Sequence, residues 1–179
     1  ESLAGMLGRN IGLYIELKHP AYFDALGFTV EQTLTDTLSA NGYSAPTDRV
    51  YLQSFEIESL KRLDRMTDLR LVQLIASSGQ PHDIEVSGGD LSYADMRTPS
   101  GLREIAQYAD GVGPDKDLII PRNETGELDA AQVTSLVAQA HAAGLVVHPY
   151  TFRAENAFLP ADLRSSADRA ENGYLADEI

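Results

Sequence analysis

Five short apolar runs alternating with segments of helical period predict a parallel β/α fold. The runs begin near residues 11, 50, 70, 110 and 145. Parallel neighbours need a crossover between them, usually a helix, and here a helical stretch fills most of the gaps. Two closures fit this pattern. One is an open, doubly wound five-stranded sheet, complete in this length. The other is a portion of an eightfold β/α barrel, which typically takes about 250 residues. Both place chemistry at the C-terminal ends of the strands.

The first run, Ile11 to Pro20, alternates at period two. Ile11, Leu13, Ile15 and Leu17 fall on one face; Gly12, Tyr14, Glu16 and Lys18 fall on the other. Pro20 stops the strand and keeps His19 extended. Residues 21–28 read as an aromatic-bearing loop, and Thr29 with Gln32 has the form of a capping box, so a helix is expected over Val30–Ala40, ended by Gly42. Val50–Phe55 is the second strand. Ile57, Leu60 and Leu63 mark one helix face, and Leu71–Ile75 is the third strand. Ser77–Arg97, with its glycines and Pro81, reads as a long irregular loop of the kind that carries function.

Thr98-Pro99 is an N-cap with proline at the first helical position, and that helix should turn Leu102, Ile105 and Ala109 inward. Asp110–Pro114 is a fourth strand, followed by the apolar run Leu118–Ile120. Asp129 with Gln132 repeats the capping pattern, and Val133, Leu136, Val137 and Ala140 form a helical stripe before Gly144. Leu145–Tyr150 is the last clear strand. Arg153–Ser166 reads as loop leading into a truncated final helix.

The composition narrows the classes of function. A net charge of −13 with no basic run excludes a nucleic-acid binder. No run of eighteen apolar residues is present, hence no membrane span is expected. The absence of cysteine removes disulfide and thiol chemistry. Glu1–Gly5 carries no signal-peptide pattern, and both termini read as interior to a longer chain.

Each strand has polar side chains in its second half: Glu16 and Lys18, Gln53, Gln73, and His148 with Tyr150. Glu16 and Lys18 two residues apart are either an ion pair on an edge strand or a metal ligand beside a cation for an anionic substrate. Gln53 and Gln73 either satisfy neighbouring polar groups or line a shared pocket, and their common position favours the pocket. His148 is a pocket donor or a core histidine; His82 and His141 read as solvated. No Ser/His/Asp arrangement, phosphate-binding glycine loop or paired-histidine metal motif occurs.

Taken together, Gly12–Lys18, Val50–Phe55, Leu71–Ile75, Tyr108–Pro114 and Leu145–Thr151 closely resemble, in order, the motifs of glycerophosphodiester phosphodiesterases, and more narrowly their periplasmic or secreted branch. The resemblance implies a parallel (β/α)8 TIM barrel, of which this chain holds about five β/α units as one catalytic-domain fragment over residues 1–179. It implies hydrolysis of small glycerophosphodiesters such as glycerophosphocholine to glycerol 3-phosphate and an alcohol, with Ca²⁺ or Mg²⁺ as cofactor. By it, Glu16 matches a metal-ligand glutamate and Lys18 the lysine that meets the phosphate. Phe55 and Tyr150 match walls of the glycerol pocket, with Gln53 lining the same cavity. The family's N-terminal His-Arg-Gly strand, Glu-x-Asp pair and His-Asp hairpin have no counterpart here, nor has its last strand, so the acid–base histidines are not assigned. A sphingomyelinase-D-like phospholipase and a non-catalytic binding module are the competing readings. Two open strand edges would favour a homodimer.

Overall fold

The computed structural model describes residues 11–179; the reading of Glu1–Gly5 lies outside them. Five parallel strands form one sheet: β1 (Leu13–Glu16), β2 (Val50–Ser54), β3 (Arg70–Ile75), β4 (Gly111–Pro114) and β5 (Val146–Val147). Their spatial order is sequential, β1-β2-β3-β4-β5. A doubly wound sheet reverses strand order at a switch point. Uninterrupted sequential order with right-handed crossovers instead puts every helix on one side, as in a barrel wall. The strand pattern alone leaves both closures open while the family resemblance implies the barrel, and the strand order agrees with the barrel.

Seven helices connect the strands among the described residues: α1 (Pro20–Ala25), α2 (Val30–Ala40), α3 (Ile57–Asp64), α4 (His82–Val86), α5 (Tyr93–Met96), α6 (Pro99–Ile105) and α7 (Leu136–Ala142). The core lies between the helices and one face of the sheet. Leu52, Leu71, Ile75 and Val112 of that face pack with Leu60, Leu63, Leu102, Ile105, Leu136 and Ala140 of the helices. Burial of each large side chain contributes roughly 1.5–3 kcal/mol.

A charged tie holds α1, α2 and α3 together. Glu31 is only 2% exposed, and it accepts from Ser59 Oγ at 2.6 Å and from Arg62 Nε at 3.1 Å, while Arg62 Nη2 reaches Asp24 at 2.8 Å. The paired carboxylates raise the Arg62 pKa against the opposing effect of its burial, which is the largest single influence.

Several local expectations change. Residues 20–25 are helical, not loop, because Pro20 occupies the first turn and the chain reverses at His19. Thr29 makes no side-chain cap; Gln32 bonds Asp36 at 2.8 Å instead of reaching back. The long loop holds α4 and α5, and Ser92 and Asp95 cap α5 reciprocally. Asp129 caps only a 3₁₀ turn over Ala130–Gln132. Val133 is 56% exposed and precedes α7, since Thr134 N–H is taken by the Ile119 carbonyl. β5 has two residues in regular pairing, although His148 and Tyr150 continue to donate to Val112 and Pro114. The final helix is a 3₁₀ turn, Leu175–Asp177, after which Glu178 is buried against Lys116 at 2.5 Å.

Candidate active site

The second face of the sheet follows from the register. Glu16 lies opposite Gln53, Gln53 opposite Val72, and Val72 opposite Gly111, which pairs with Val146. Side chains opposite one another in a parallel pair share a face, so Tyr14, Glu16, Tyr51, Gln53, Arg70, Gly113 and His148 all lie on the side away from the helices. Gly113 leaves room there for the Leu74 side chain, whose Cδ2 a Cβ would meet at 2.6 Å.

This face has two layers. Its N-terminal layer is aromatic, with Tyr14 left 45% exposed at its edge. Tyr14 stacks on Tyr51 at 5.4 Å, His148 sits edge-on to Tyr51 at 5.0 Å, and the Arg70 guanidinium lies 4.4 Å from the Tyr51 ring centroid. Tyr14 Oη and His148 Nδ1 are hydrogen-bonded at 2.9 Å. Burial, followed by the Arg70 charge, holds His148 below the usual histidine pKa. His148 is therefore a half-buried member of this layer whose environment disfavours the charged ring, away from the chemistry proposed below.

The C-terminal layer contains the polar residues that the sequence singled out. Glu16 and Lys18 leave β1 side by side, with Lys18 Nζ 3.4 Å from Glu16 Oε2. Glu16 is turned partly inward, at 23% side-chain exposure, while Lys18 is 73% exposed. The edge-strand ion pair is thus present, and at such exposure it stabilises the fold by about 0–1 kcal/mol at most. Phe55 follows β2 and meets the Tyr150 ring edge-on at 5.8 Å and the Tyr93 ring at 6.2 Å. Tyr150 donates to the Ile75 carbonyl at 3.2 Å. Burial and then the charges of Asp115, Tyr93 and Glu16 raise its pKa, which places Glu16 and Tyr150 within electrostatic reach of each other. Glu16, Lys18, Gln53, Phe55 and Tyr150 therefore share this face; of the five, Glu16, Lys18 and Phe55 line the cavity at its rim, and Gln53 and Tyr150 are not among the cavity's walls.

A cavity of about 270 Å³ opens at this rim, lined by Glu16, Lys18, His19, Phe55, Glu56, Gln80, His82 and Tyr93. Gln80, His82 and Tyr93 come from the segment that looked irregular, so His82 is a cavity residue as well as a partly solvated one. Tyr93 is buried and its pKa is pushed up to about 12 by burial and by Asp83 and Glu56. The capping residues Ser92 and Asp95 were the available signal for this wall. Gln73 is not part of it. It is fully buried on the helix side, donating to the carbonyls of Ser54, Phe55 and Leu74.

Calcium and magnesium bind through several oxygen ligands. Among the described residues no group of three or more His, Cys, Asp or Glu side chains is disposed to hold a metal ion. Glu16 offers one carboxylate on the rim, and these residues alone do not make a divalent-cation site. No helix among them is long and apolar enough to cross a membrane.

Comparison with known proteins gives a consistent result. The family model described as "Glycerophosphoryl diester phosphodiesterase family" matches residues 3–174. A glycerophosphodiester phosphodiesterase of Haemophilus influenzae is 32% identical over 163 residues, 86% of this chain and 44% of its own length. One from Treponema pallidum is 31% identical over 168 residues, 88% of this chain and 46% of its own. The chain thus spans less than half the length of these curated relatives. A solved structure from Agrobacterium tumefaciens, of a chain assigned to the same family, overlaps with a TM-score of 0.41 and 19% identity, covering 68% of this chain and 38% of that one.

Proposed function

The chain belongs to the glycerophosphoryl diester phosphodiesterase family, and on that premise we propose that it forms part of an enzyme hydrolysing glycerophosphodiesters, such as glycerophosphocholine, to glycerol 3-phosphate and an alcohol. The observation that carries this reading is the meeting of Glu16, Lys18 and Phe55 on one cavity at the C-terminal ends of β1 and β2.

Hydrolysis breaks a phosphorus–oxygen bond to the alcohol, a water oxygen takes its place, and the departing alkoxide needs a proton. Lys18 carries a compact positive charge that attracts the phosphoryl oxygens as charge gathers on them. Phe55 and Tyr150 pack the glycerol carbons, and Gln53 offers an amide donor and acceptor beside Glu16. Glu16 is given the role of one ligand to a divalent cation, Ca²⁺ or Mg²⁺. The described residues leave the remaining ligands, the acid and the base unassigned. The resemblance of five motifs in order supports a periplasmic or secreted location. Among the described residues β1 and β5 each have a strand on one side only, which supports pairing of two copies.

The test is turnover by a full-length protein containing these 179 residues. Glycerol 3-phosphate should appear from glycerophosphocholine and cease with chelator. Release from lysophosphatidylcholine or sphingomyelin, with no action on the deacylated diester, would reject the assignment.

A further inference from the structure

We propose that Glu56 is a positioning residue of the candidate site, fixing the turn through which Lys18 is presented to the cavity. The proposal rests on the reading of Lys18 as the phosphate-facing cation, and concerns how that cation is held.

Glu56 is the residue just before α3, where a side chain commonly caps the helix, yet it makes no such cap. Its Oε2 crosses instead to the start of α1 and accepts from the Ala21 N–H at 2.7 Å. The first N–H groups of a helix have no partner within it, and Glu56 satisfies one of them. The residue is only 3% exposed, and Oε1 has no hydrogen-bond partner among the described residues. A carboxylate buried at this cost is held by the contact it makes.

Between Lys18 and Ala21 the chain turns through His19, at φ 53°, where it is the one non-glycine with positive φ among the described residues. A side chain in that conformation persists when its surroundings enforce it. Three enforcing contacts are present: the His19 carbonyl accepts from Tyr22 and Phe23, Pro20 is buried, and Glu56 grips Ala21. Lys18 has little to hold it directly. Its side chain is 73% exposed, with Glu16 at 3.4 Å as its ion-pair partner. Where Lys18 points is accordingly set by the backbone on either side of it. Ahead of it, Leu17 is tied to β2 by its N–H on the Gln53 carbonyl at 2.9 Å and by the Ser54 hydroxyl donating to its own carbonyl at 3.0 Å; behind it, the turn is held at Ala21 by Glu56.

The experiment follows amide exchange at Ala21 by NMR in a full-length protein containing these 179 residues, and titrates sn-glycerol 3-phosphate into the same samples. Leu74 in β3 serves as the marker of the folded state. Glu56→Gln keeps an oxygen acceptor, whereas Glu56→Ala removes it. Expected for Glu56→Ala are Ala21 exchange faster by about 10-fold and binding weaker by about 5-fold, with Glu56→Gln within about 2-fold of wild type on both. In a Lys18→Met background, Glu56→Ala should weaken binding no further, because it acts through Lys18. Unchanged Ala21 exchange in Glu56→Ala, equal losses in both variants, or additive losses with Lys18→Met would overturn the proposal. If Glu56→Ala loses Leu74 protection, Glu56→Gln decides: wild-type exchange and binding support the role, and their loss refutes it. If wild type fails to bind glycerol 3-phosphate while Ala21 exchange still follows the acceptor, the functional reading of Lys18 falls and the Glu56 clamp on the turn stands.

Discussion

Tyr108 donates its phenolic hydrogen to the side-chain oxygen of Gln73 at 3.0 Å, beneath the sheet and on the side covered by helices. The same glutamine uses its amide hydrogens on the carbonyls at the ends of β2 and β3. Tyr108→Phe would leave that oxygen buried and unpaired, at a cost of roughly 1–3 kcal/mol. Urea unfolding should therefore show a lower midpoint with an unchanged slope, and glycerol 3-phosphate binding should stay within about 2-fold of wild type. A destabilisation below about 0.5 kcal/mol would contradict this account of Gln73.

Gln73 also marks the limit of what was legible in the sequence. Alternation assigns residues to two faces within a strand but says nothing of how the faces of different strands align. Only the pairing of Ser54 with Gln73 shows that Gln73 lies under the sheet while Gln53 lies over it. Helix α2 was legible in its bounds with only one of its two signals holding: the capping pattern at Thr29 and Gln32 does not form as such, while Gly42, whose φ is 84°, does end it. The pocket walls Gln80, His82 and Tyr93 were not, since short helices of four or five residues give too few turns for a periodic signal. Glu16, Lys18 and Phe55 were found through resemblance as much as through pattern, because an exposed ion pair alone has no functional signature.

Arg62 is expected to be the most costly charged residue to remove. Arg62→Met would abandon the Glu31 carboxylate in a nearly closed site and release Asp24 of α1 at the same time. Breaking one side of a buried pair costs roughly 3–5 kcal/mol. Exchanging both partners, with Glu31→Leu added, should recover at least half of the loss in chemical denaturation. Full additivity of the two losses would mean the pair is not coupled.

The neutral state of His148 makes stability depend on pH in a defined direction. Its folded pKa is lowered by burial and by Arg70, so below about 6.5 the unfolded chain takes up a proton that the folded chain still refuses. The contribution of the neutral ring is complete above that pH and is lost as pH falls toward the lowered value. Between about pH 7 and pH 5, wild type should lose more stability than His148→Gln, measured as urea midpoints on the two proteins side by side. A steeper loss in the variant would show that the ring is charged in the fold.

Calcium binding by the chain should be weak. Glu16, already paired with Lys18, and the buried Glu56, which is engaged at Ala21, together offer too few oxygens for a hard cation. Calorimetry of these 179 residues with CaCl₂ should give a Kd weaker than about 10⁻³ M, and Glu16→Gln should abolish what remains. Affinity of about 10⁻⁵ M or tighter would require a ligand set that the described geometry does not contain.

Glu16 and Lys18 are predicted to fail differently in a full-length phosphodiesterase. If Glu16 serves charge that develops only as the phosphoryl group is transferred, Glu16→Ala should lower kcat by at least about 10²-fold, the scale of removing an electrostatic donor from a transition state. On the proposed reading Lys18 meets a phosphate that is already anionic in the ground state, so Lys18→Met should raise KM as well as lower kcat. Lys18→Arg should restore KM only in part, since the planar guanidinium cannot occupy the space of a compact ammonium. All three variants keep the apolar face of β1, where Leu13, Ile15 and Leu17 pack against the core, so their urea midpoints should match wild type. Near-normal turnover of Glu16→Ala at saturating substrate and metal would remove Glu16 from the chemistry and leave it as the partner of an exposed ion pair on the edge of the sheet.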